Sequence, residues 1–78
     1  MPTVEKAFGQ VIKALRLKRK LTHLQVAERS DLDVTYISLL ERGKSQPTLK
    51  SFFKLCAALE TSPTLVIRRT LKSMGAKD

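Results

Sequence analysis

The segment Leu21–Gly43, with the sequence LTHLQVAERSDLDVTYISLLERG, constrains the fold of this chain more than any other part. Thr22 and Gln25 have the spacing of a capping box, in which each side chain satisfies a free backbone N–H of the other residue. Asp33 is placed to cap a second helix, and Gly43 suits a left-handed end to that helix. Three residues between the two helices leave room only for a turn. The segment therefore predicts a helix-turn-helix, a motif whose second helix enters the major groove of DNA.

The second helix of this motif has two faces of different character. At about 100° per residue, Ile37 and Leu40 fall on one side, and Tyr36 and Glu41 flank them. The opposite side carries Thr35, Ser38, Leu39 and Arg42. Leu39 is either a single surface leucine, which is common, or an apolar contact to a thymine methyl group in the groove. Its position among polar residues slightly favours the second interpretation.

Three further helices are predicted around this motif. An apolar stripe that starts at Phe8 recurs at helical spacing, Thr48 is placed to cap a fourth helix, and Pro63 suits the first position of a fifth. Gly9 either weakens the first helix slightly or permits close packing against it. The prediction is an all-α domain, residues 1–78, with five helices at about 4–19, 23–30, 34–42, 49–59 and 63–73.

The charge of the chain favours a polyanionic partner. The formal net charge is +8 at pH 7, with 15 Lys and Arg residues against seven acidic ones. Such a surplus supplies the sequence-independent part of the affinity of a protein for DNA. Small basic proteins are also often simply soluble, so the charge indicates double-stranded DNA only together with the motif.

Other classes of site are not indicated by the residues. Cys56 is the single cysteine and lies in an apolar helical pattern, so we expect a buried, reduced thiol and no disulfide. One cysteine and one histidine cannot make a zinc site, and no catalytic constellation or phosphate loop is visible. We therefore expect no enzyme activity, no metal or cofactor and no small-molecule ligand. Without a signal peptide or a membrane-spanning apolar run, we expect a cytoplasmic protein.

Four segments resemble one known family. They are LRLKRKLT (15–22), VAERS (26–30), LDVTYISLLERGKSQPTL (32–49) and FFKLCAALETSP (52–63). Together they resemble the lambda-repressor-like, Xre-type helix-turn-helix family, and their size and spacing are most similar to the controller proteins of restriction–modification systems. In that family the residue after the first cap is usually Gln and the turn residue usually Gly. This chain has His23 and Asp31 there, and Asp tolerates a left-handed conformation.

The resemblance implies a division of DNA contacts. Arg42 suits guanine, because its fork matches the O6 and N7 acceptors, although a phosphate contact fits its position equally well. Tyr36 either stacks on the DNA backbone or packs along the helix edge. The residues expected to face bases or the flanking sugars are Val34, Thr35, Tyr36, Ser38, Leu39 and Arg42. Those expected to contact phosphates are Thr22, His23 and Gln25 at the start of the second helix, and Lys44, Ser45 and Gln46 after Gly43.

The resemblance also implies two structural features. Arg16 and Glu41 are expected to form a salt bridge between the first and third helices, with a phosphate contact as the alternative for Arg16. The last helix is expected to form a symmetric dimer interface, unless its apolar stripe only closes the core. Two helices related by a twofold axis reach major grooves about 34 Å apart. The expected interface residues are Leu65, Val66, Ile67, Leu71 and Met74.

The expected function is that of a sequence-specific regulator of transcription, which binds pseudo-palindromic operators as a homodimer. The alternative is an antitoxin that neutralises a partner toxin and represses its own operon, although the chain has little length to spare for a toxin-binding segment. A basic amphipathic protein at anionic membranes is a third class, which the caps and the apolar pattern disfavour. RNA binding is disfavoured by the small number of aromatic residues.

Overall fold

Short turns join five α-helices in the computed structural model, which describes residues 2–75. Met1 and residues 76–78 belong to the predicted domain but lie outside the described residues. All five predicted helices are confirmed. Three of them end one residue earlier than predicted, because the last residue is a cap. The helices are α1 (Val4–Lys18), α2 (His23–Ser30), α3 (Val34–Glu41), α4 (Leu49–Ala58) and α5 (Pro63–Ser73).

Side-chain caps begin four of the helices. Thr22 and Gln25 form the predicted capping box at α2, Thr48 caps α4, and Ser62 caps α5 ahead of Pro63. In each case a hydroxyl oxygen accepts a backbone N–H that has no partner within the helix. The C-terminal end of α2 falls at Asp31, which adopts the left-handed conformation (φ 57°) expected for the turn. These local interactions account for the short connections.

Asp33 corrects one sequence-based prediction. It occupies the N-cap position of α3, as expected, but its side chain makes no capping hydrogen bond. The predicted capping bond is therefore wrong. The Asp33 side chain is exposed, and α3 is held instead by burial of its apolar face. An eight-residue helix depends on such packing more than on its caps.

Every helix contributes to one apolar core. Leu40 of α3 is completely buried, as are side chains from each of the other helices. α3 packs against both α1 and α2, so its inner face is enclosed from two directions. Each helix supplies at least one completely buried side chain. In chain order, examples from α1 to α5 are Ile12, Val26, Ile37, Leu55 and Val66.

Cys56 lies in this core as expected, and its side chain is almost completely buried. Burial penalises the thiolate and raises the pKa of the Cys56 thiol to about 11. The thiol is therefore protonated at neutral pH and behaves as a small apolar side chain, because the thiolate is the reactive form.

Gly9 is a point of close approach between α1 and α3. A Cβ atom at this position would lie 2.4 Å from the carbonyl oxygen of Leu40 and 2.6 Å from that of Glu41. Both obstacles are backbone atoms, which cannot move aside without shifting α3. Of the two interpretations of Gly9, the structure supports close packing.

A buried ion pair joins the same two helices. Arg16 Nε donates to Glu41 Oε2 at 2.7 Å, and Arg16 Nη2 donates to Oε1 at 3.0 Å. The third guanidinium nitrogen, Nη1, donates to the carbonyl oxygen of Leu21 at 2.9 Å. The two side chains are only 9% and 4% exposed. Arg16 is thus placed in a bidentate pair with Glu41, the geometry in which such pairs are strongest, and its three guanidinium nitrogens already donate to protein acceptors.

Replacing Gly9 by alanine tests the close approach. Alanine is the better helix former by about 1 kcal/mol, but its methyl group must displace backbone, so we expect a net loss of about 1–3 kcal/mol in the free energy of unfolding. Urea denaturation measures this loss. Gln10→Ala, at the exposed neighbouring position, is the control and should change stability little. A Gly9→Ala variant more stable than the wild type would contradict the contact.

Removing one member of the buried pair should be costly. Arg16→Ala leaves the Glu41 carboxylate buried without its partner, and we expect a loss of about 3–5 kcal/mol. Arg19 forms an exposed pair with Glu60, so Arg19→Ala is the matched control, with an expected loss of about 0–1 kcal/mol. The double variant Arg16→Met/Glu41→Leu should lose less free energy of unfolding than Arg16→Ala, because it leaves no unpaired buried charge. Equal losses for Arg16→Ala and Arg19→Ala would show that burial of the pair has no energetic consequence.

Candidate nucleic-acid interface

The outer face of α3 is accessible to a ligand. Thr35 is exposed, and Ser38 and Leu39 are partly exposed, whereas Ile37 and Leu40 on the opposite side are completely buried. Anchoring on one side and accessibility on the other are what a helix needs in order to enter a groove. Val34, at the start of the helix, is also exposed.

The end of α3 places two cations close together in the chain. Gly43 adopts a left-handed conformation (φ 71°). Its N–H donates to the Leu40 carbonyl oxygen, while the N–H of Lys44 donates to that of Leu39 at 2.9 Å. This is the bonding pattern of a Schellman motif, which glycine favours. Arg42 and Lys44 therefore flank a fixed turn, and both side chains are exposed.

Tyr36 holds the loop that follows this turn. Its side chain is partly buried and packs against the core, and its hydroxyl donates to the Gln46 carbonyl oxygen at 3.2 Å. Of the two predicted roles, stacking on DNA or packing along the helix edge, this geometry supports the second. Through Tyr36, the loop that carries Ser45 and Gln46 is attached to α3. Ser45 is partly exposed and Gln46 is exposed.

The start of α2 offers hydrogen-bond donors to solvent. Thr22 Oγ1 accepts the Gln25 N–H at 3.1 Å, and Gln25 Oε1 accepts the Thr22 N–H at 2.8 Å. Because both oxygens act as acceptors within the box, the Thr22 hydroxyl proton and the Gln25 side-chain NH2 group can be donated outward. Both side chains are exposed. Such donors at a helix N-terminus suit an anion.

His23 has a partner that the sequence reasoning missed. Its Nε2 lies 3.0 Å from Glu41 Oε1, so the ring is the second side chain on the carboxylate that Arg16 already contacts. The side chain is 40% exposed. His23 and Glu41 are separated by 18 positions, and neither periodicity nor the family resemblance places them together. The ring therefore links the first turn of α2 to the last turn of α3.

A cleft of about 290 Å³ lies between α1, α2 and α3. Lys13 of α1 lines it and was not among the predicted DNA-contacting residues. The spacing of the sequence could have indicated Lys13, because this residue precedes Arg16 by three positions and therefore lies on the same side of α1. The side chains that line the cleft are Lys13, Arg16, His23, Ser38, Glu41 and Arg42.

The apolar stripe of α5 is divided between core and surface. Val66 is completely buried and Thr70 nearly so, whereas Ile67 is 49% and Leu71 42% exposed. The assignment of Val66 to a dimer interface is therefore wrong, because this side chain is already enclosed where α5 packs on its own domain. Leu65 and Met74 are partly exposed. The four remaining predicted interface residues stay accessible to a second copy.

The described chain has no group of three His, Cys, Asp or Glu side chains placed to hold a metal ion. None of its helices is long and apolar enough to cross a membrane.

Two proteins of known sequence are similar to this chain. The immunity repressor protein of Bacillus phage phi105 is 36% identical over 59 residues, which are 76% of this chain and 41% of the repressor. The uncharacterized HTH-type transcriptional regulator y4dJ of Sinorhizobium fredii is 33% identical over 67 residues, which are 86% of this chain and 87% of that protein. The chain thus spans less than half of the phage repressor but most of the second relative.

A solved structure and a family model agree with these similarities. The crystal structure of the restriction–modification controller protein C.Esp1396I, a tetramer in complex with its natural 35-base-pair operator, superimposes with a TM-score of 0.84 and 31% identity. The match covers 95% of this chain and 97% of that one. The helix-turn-helix family model matches residues 12–66. This protein belongs to the Xre-type helix-turn-helix family.

Proposed function

We propose that this protein is a regulator of transcription that binds double-stranded DNA in a sequence-specific manner, with α3 in the major groove. The accessible outer face of α3, fixed on its inner side by the core, is the observation that carries the proposal. The relatives support it, since two are named as a repressor and a transcriptional regulator and the controller protein was solved on its operator. We expect the protein to act in the cytoplasm, where bacterial and phage DNA is transcribed.

Base recognition is assigned to the side chains at the accessible side of α3. Thr35 and Ser38 offer hydroxyl groups that suit several base edges, and Leu39 can contact a thymine methyl group. Arg42 has the fork geometry that fits guanine. Val34 lies at the end of α3 that would enter the groove first, where base contacts concentrate in this motif. Tyr36 contributes by holding the following loop.

Backbone contacts are assigned to the segments on either side of α3. Lys44, Ser45 and Gln46 lie in the loop that follows α3, and Thr22 and Gln25 lie at the start of α2. Contacts of this kind set the register of a protein on the duplex without reading its sequence. The net charge of +8 strengthens every such contact and should make the affinity strongly dependent on salt.

A homodimer is proposed through α5. Ile67 and Leu71 lie four positions apart on an exposed helix face, and Met74 extends this face, whereas Leu65 is partly exposed but lies off the stripe. Beside Ile67 an apolar groove of about 250 Å³ runs between α1, α4 and α5, with Val4 among its exposed residues. Exposed apolar side chains that adjoin one another in this way favour burial against a second copy. A twofold axis would present two copies of α3 to successive major grooves.

Selection of bound duplexes from a random pool, at physiological salt, tests the function. We expect an inverted repeat whose half-sites are centred about 34 Å apart, and a solution mass of two subunits.

Leu71→Glu should reduce the dimer and weaken binding to the full repeat, while Ser73→Glu, at an exposed position on the same helix, controls for the added negative charge because it changes the net charge by the same one unit. Enrichment of no sequence, or of unpaired half-sites by a monomer, would contradict the proposal.

Arg42→Ala and Lys44→Ala separate base from backbone contacts. If Arg42 reads guanine, its loss should cost about 1–3 kcal/mol of binding free energy and relax specificity at one operator position. Lys44→Ala should weaken binding to all sequences alike and reduce the slope of log affinity against log salt by about one. Binding assays on the selected operator and its single-base variants measure both. Equal loss on every sequence would assign Arg42 to phosphate, and an unchanged slope would refute the Lys44 contact.

A further inference from the structure

The cleft defined above combines three cations with the partly exposed ring of His23. Lys13, Arg16 and Arg42 supply the positive charge, and Glu41 is the one anion among its lining residues. Ser38 and Arg42 belong to the set assigned to DNA recognition, so the cleft is continuous with the surface that would meet the duplex. The Arg16 guanidinium is already occupied by Glu41 and Leu21. Lys13, His23 and Ser38 are therefore the groups that extend the DNA-facing surface toward α1.

The contact with Glu41 fixes the hydrogen on the His23 ring. A carboxylate only accepts hydrogen bonds, so the 3.0 Å contact requires that Nε2 of His23 donate to Glu41 Oε1. In a neutral imidazole the other nitrogen, Nδ1, then carries a lone pair and no hydrogen. Phosphate oxygens are acceptors as well. A neutral His23 bound to Glu41 consequently has no ring donor for a phosphate, whereas an imidazolium has one at Nδ1.

The charges around the ring determine when the imidazolium forms. The cations Lys13 and Arg16 on α1 and Arg42 after α3 oppose an additional positive charge, and the Glu41 carboxylate on α3 favours it. A phosphate entering the cleft adds a second anion beside the ring. Its arrival shifts the balance of charge toward the protonated form.

We propose that DNA binding takes up a proton at His23 in each subunit, and that the cleft then holds a backbone phosphate between Lys13 and the His23 imidazolium. The proton comes from solvent and is bound at Nδ1, which donates it to a phosphate oxygen while Nε2 continues to donate to Glu41. This inference rests on the proposed function. The inference adds two features to that function: a phosphate site that includes α1, and an affinity for DNA that increases as the pH falls.

The dependence of affinity on pH tests the proton uptake. Because the complex binds more protons than the free protein, the association constant should rise as the pH falls. On the selected operator we expect an increase of at least about fivefold between about pH 8 and pH 6, the range in which histidine changes charge. His23→Gln retains an amide donor for Glu41 but has no titrating group, so its affinity should vary little over this range. Equal pH dependence in the two proteins would overturn the proposal.

A calorimetric measurement keeps the test independent of how well the variant folds. Titration of the wild-type protein with operator, in two buffers of different ionisation enthalpy at one pH, gives the number of protons taken up. We expect a value between zero and one per subunit, and zero uptake throughout the pH range would overturn the proposal. A wild-type protein that binds no duplex at any pH would contradict the proposed function itself, and the proton linkage with it.

The lysine in the cleft is tested by a matched pair of variants. Lys13→Gln should lower affinity for all sequences and reduce the salt slope by about one. Lys18→Gln, an exposed position on the same helix that does not line the cleft, should leave the slope unchanged. If the two variants behave alike, α1 contributes only through its net charge and the cleft holds no phosphate.

Discussion

Glu41 accepts hydrogen bonds from side chains of two other helices, and the position of α3 depends on this carboxylate. Its two oxygens contact Arg16 of α1 and His23 of α2, while Arg16 also reaches the carbonyl oxygen of Leu21 in the turn between those helices. On the same side of α3, Gly9 lets the α1 backbone approach that of α3 directly. A helix of eight residues is not stable alone. Here its C-terminal turn is fixed by ionic and backbone contacts, and its apolar side by the core.

The contacts that fix α3 are made by its inner side, so its outer face is not needed to stabilise the fold. The buried members Ile37 and Leu40 supply packing, and the accessible members Thr35 and Ser38 are available for recognition. A reading helix that is ordered before it meets DNA avoids much of the entropic cost of ordering on binding. The loop after Gly43 is held in a similar way, through Tyr36 and the hydrogen bond to Gln46. Rigid placement of both elements is the property that a groove-binding motif requires.

Local interactions made most of the fold predictable from the sequence. The capping box at Thr22 and the left-handed residues Asp31 and Gly43 depend on neighbours within a few positions, and the helix boundaries follow from them. Contacts between residues that lie far apart in the sequence were harder to predict. The contact of His23 with Glu41 was missed because nothing local in the sequence indicates it, and Val66 was assigned to a dimer interface because a helical wheel does not show how much of a stripe the core encloses. The Asp33 side chain makes no capping hydrogen bond although the residue occupies the N-cap position, and nothing in the structure explains this difference from the hydroxyl caps.

We expect α3 to meet duplex DNA with its accessible side while its inner side stays in the core. Backbone amide shifts recorded by NMR during titration with the selected operator test this most directly, with a scrambled duplex of equal length as the control. We expect the largest operator-specific shifts at Thr35, Ser38 and Leu39, and small ones at Phe53, which is exposed on α4. Shifts concentrated on α4, with α3 unchanged, would contradict it.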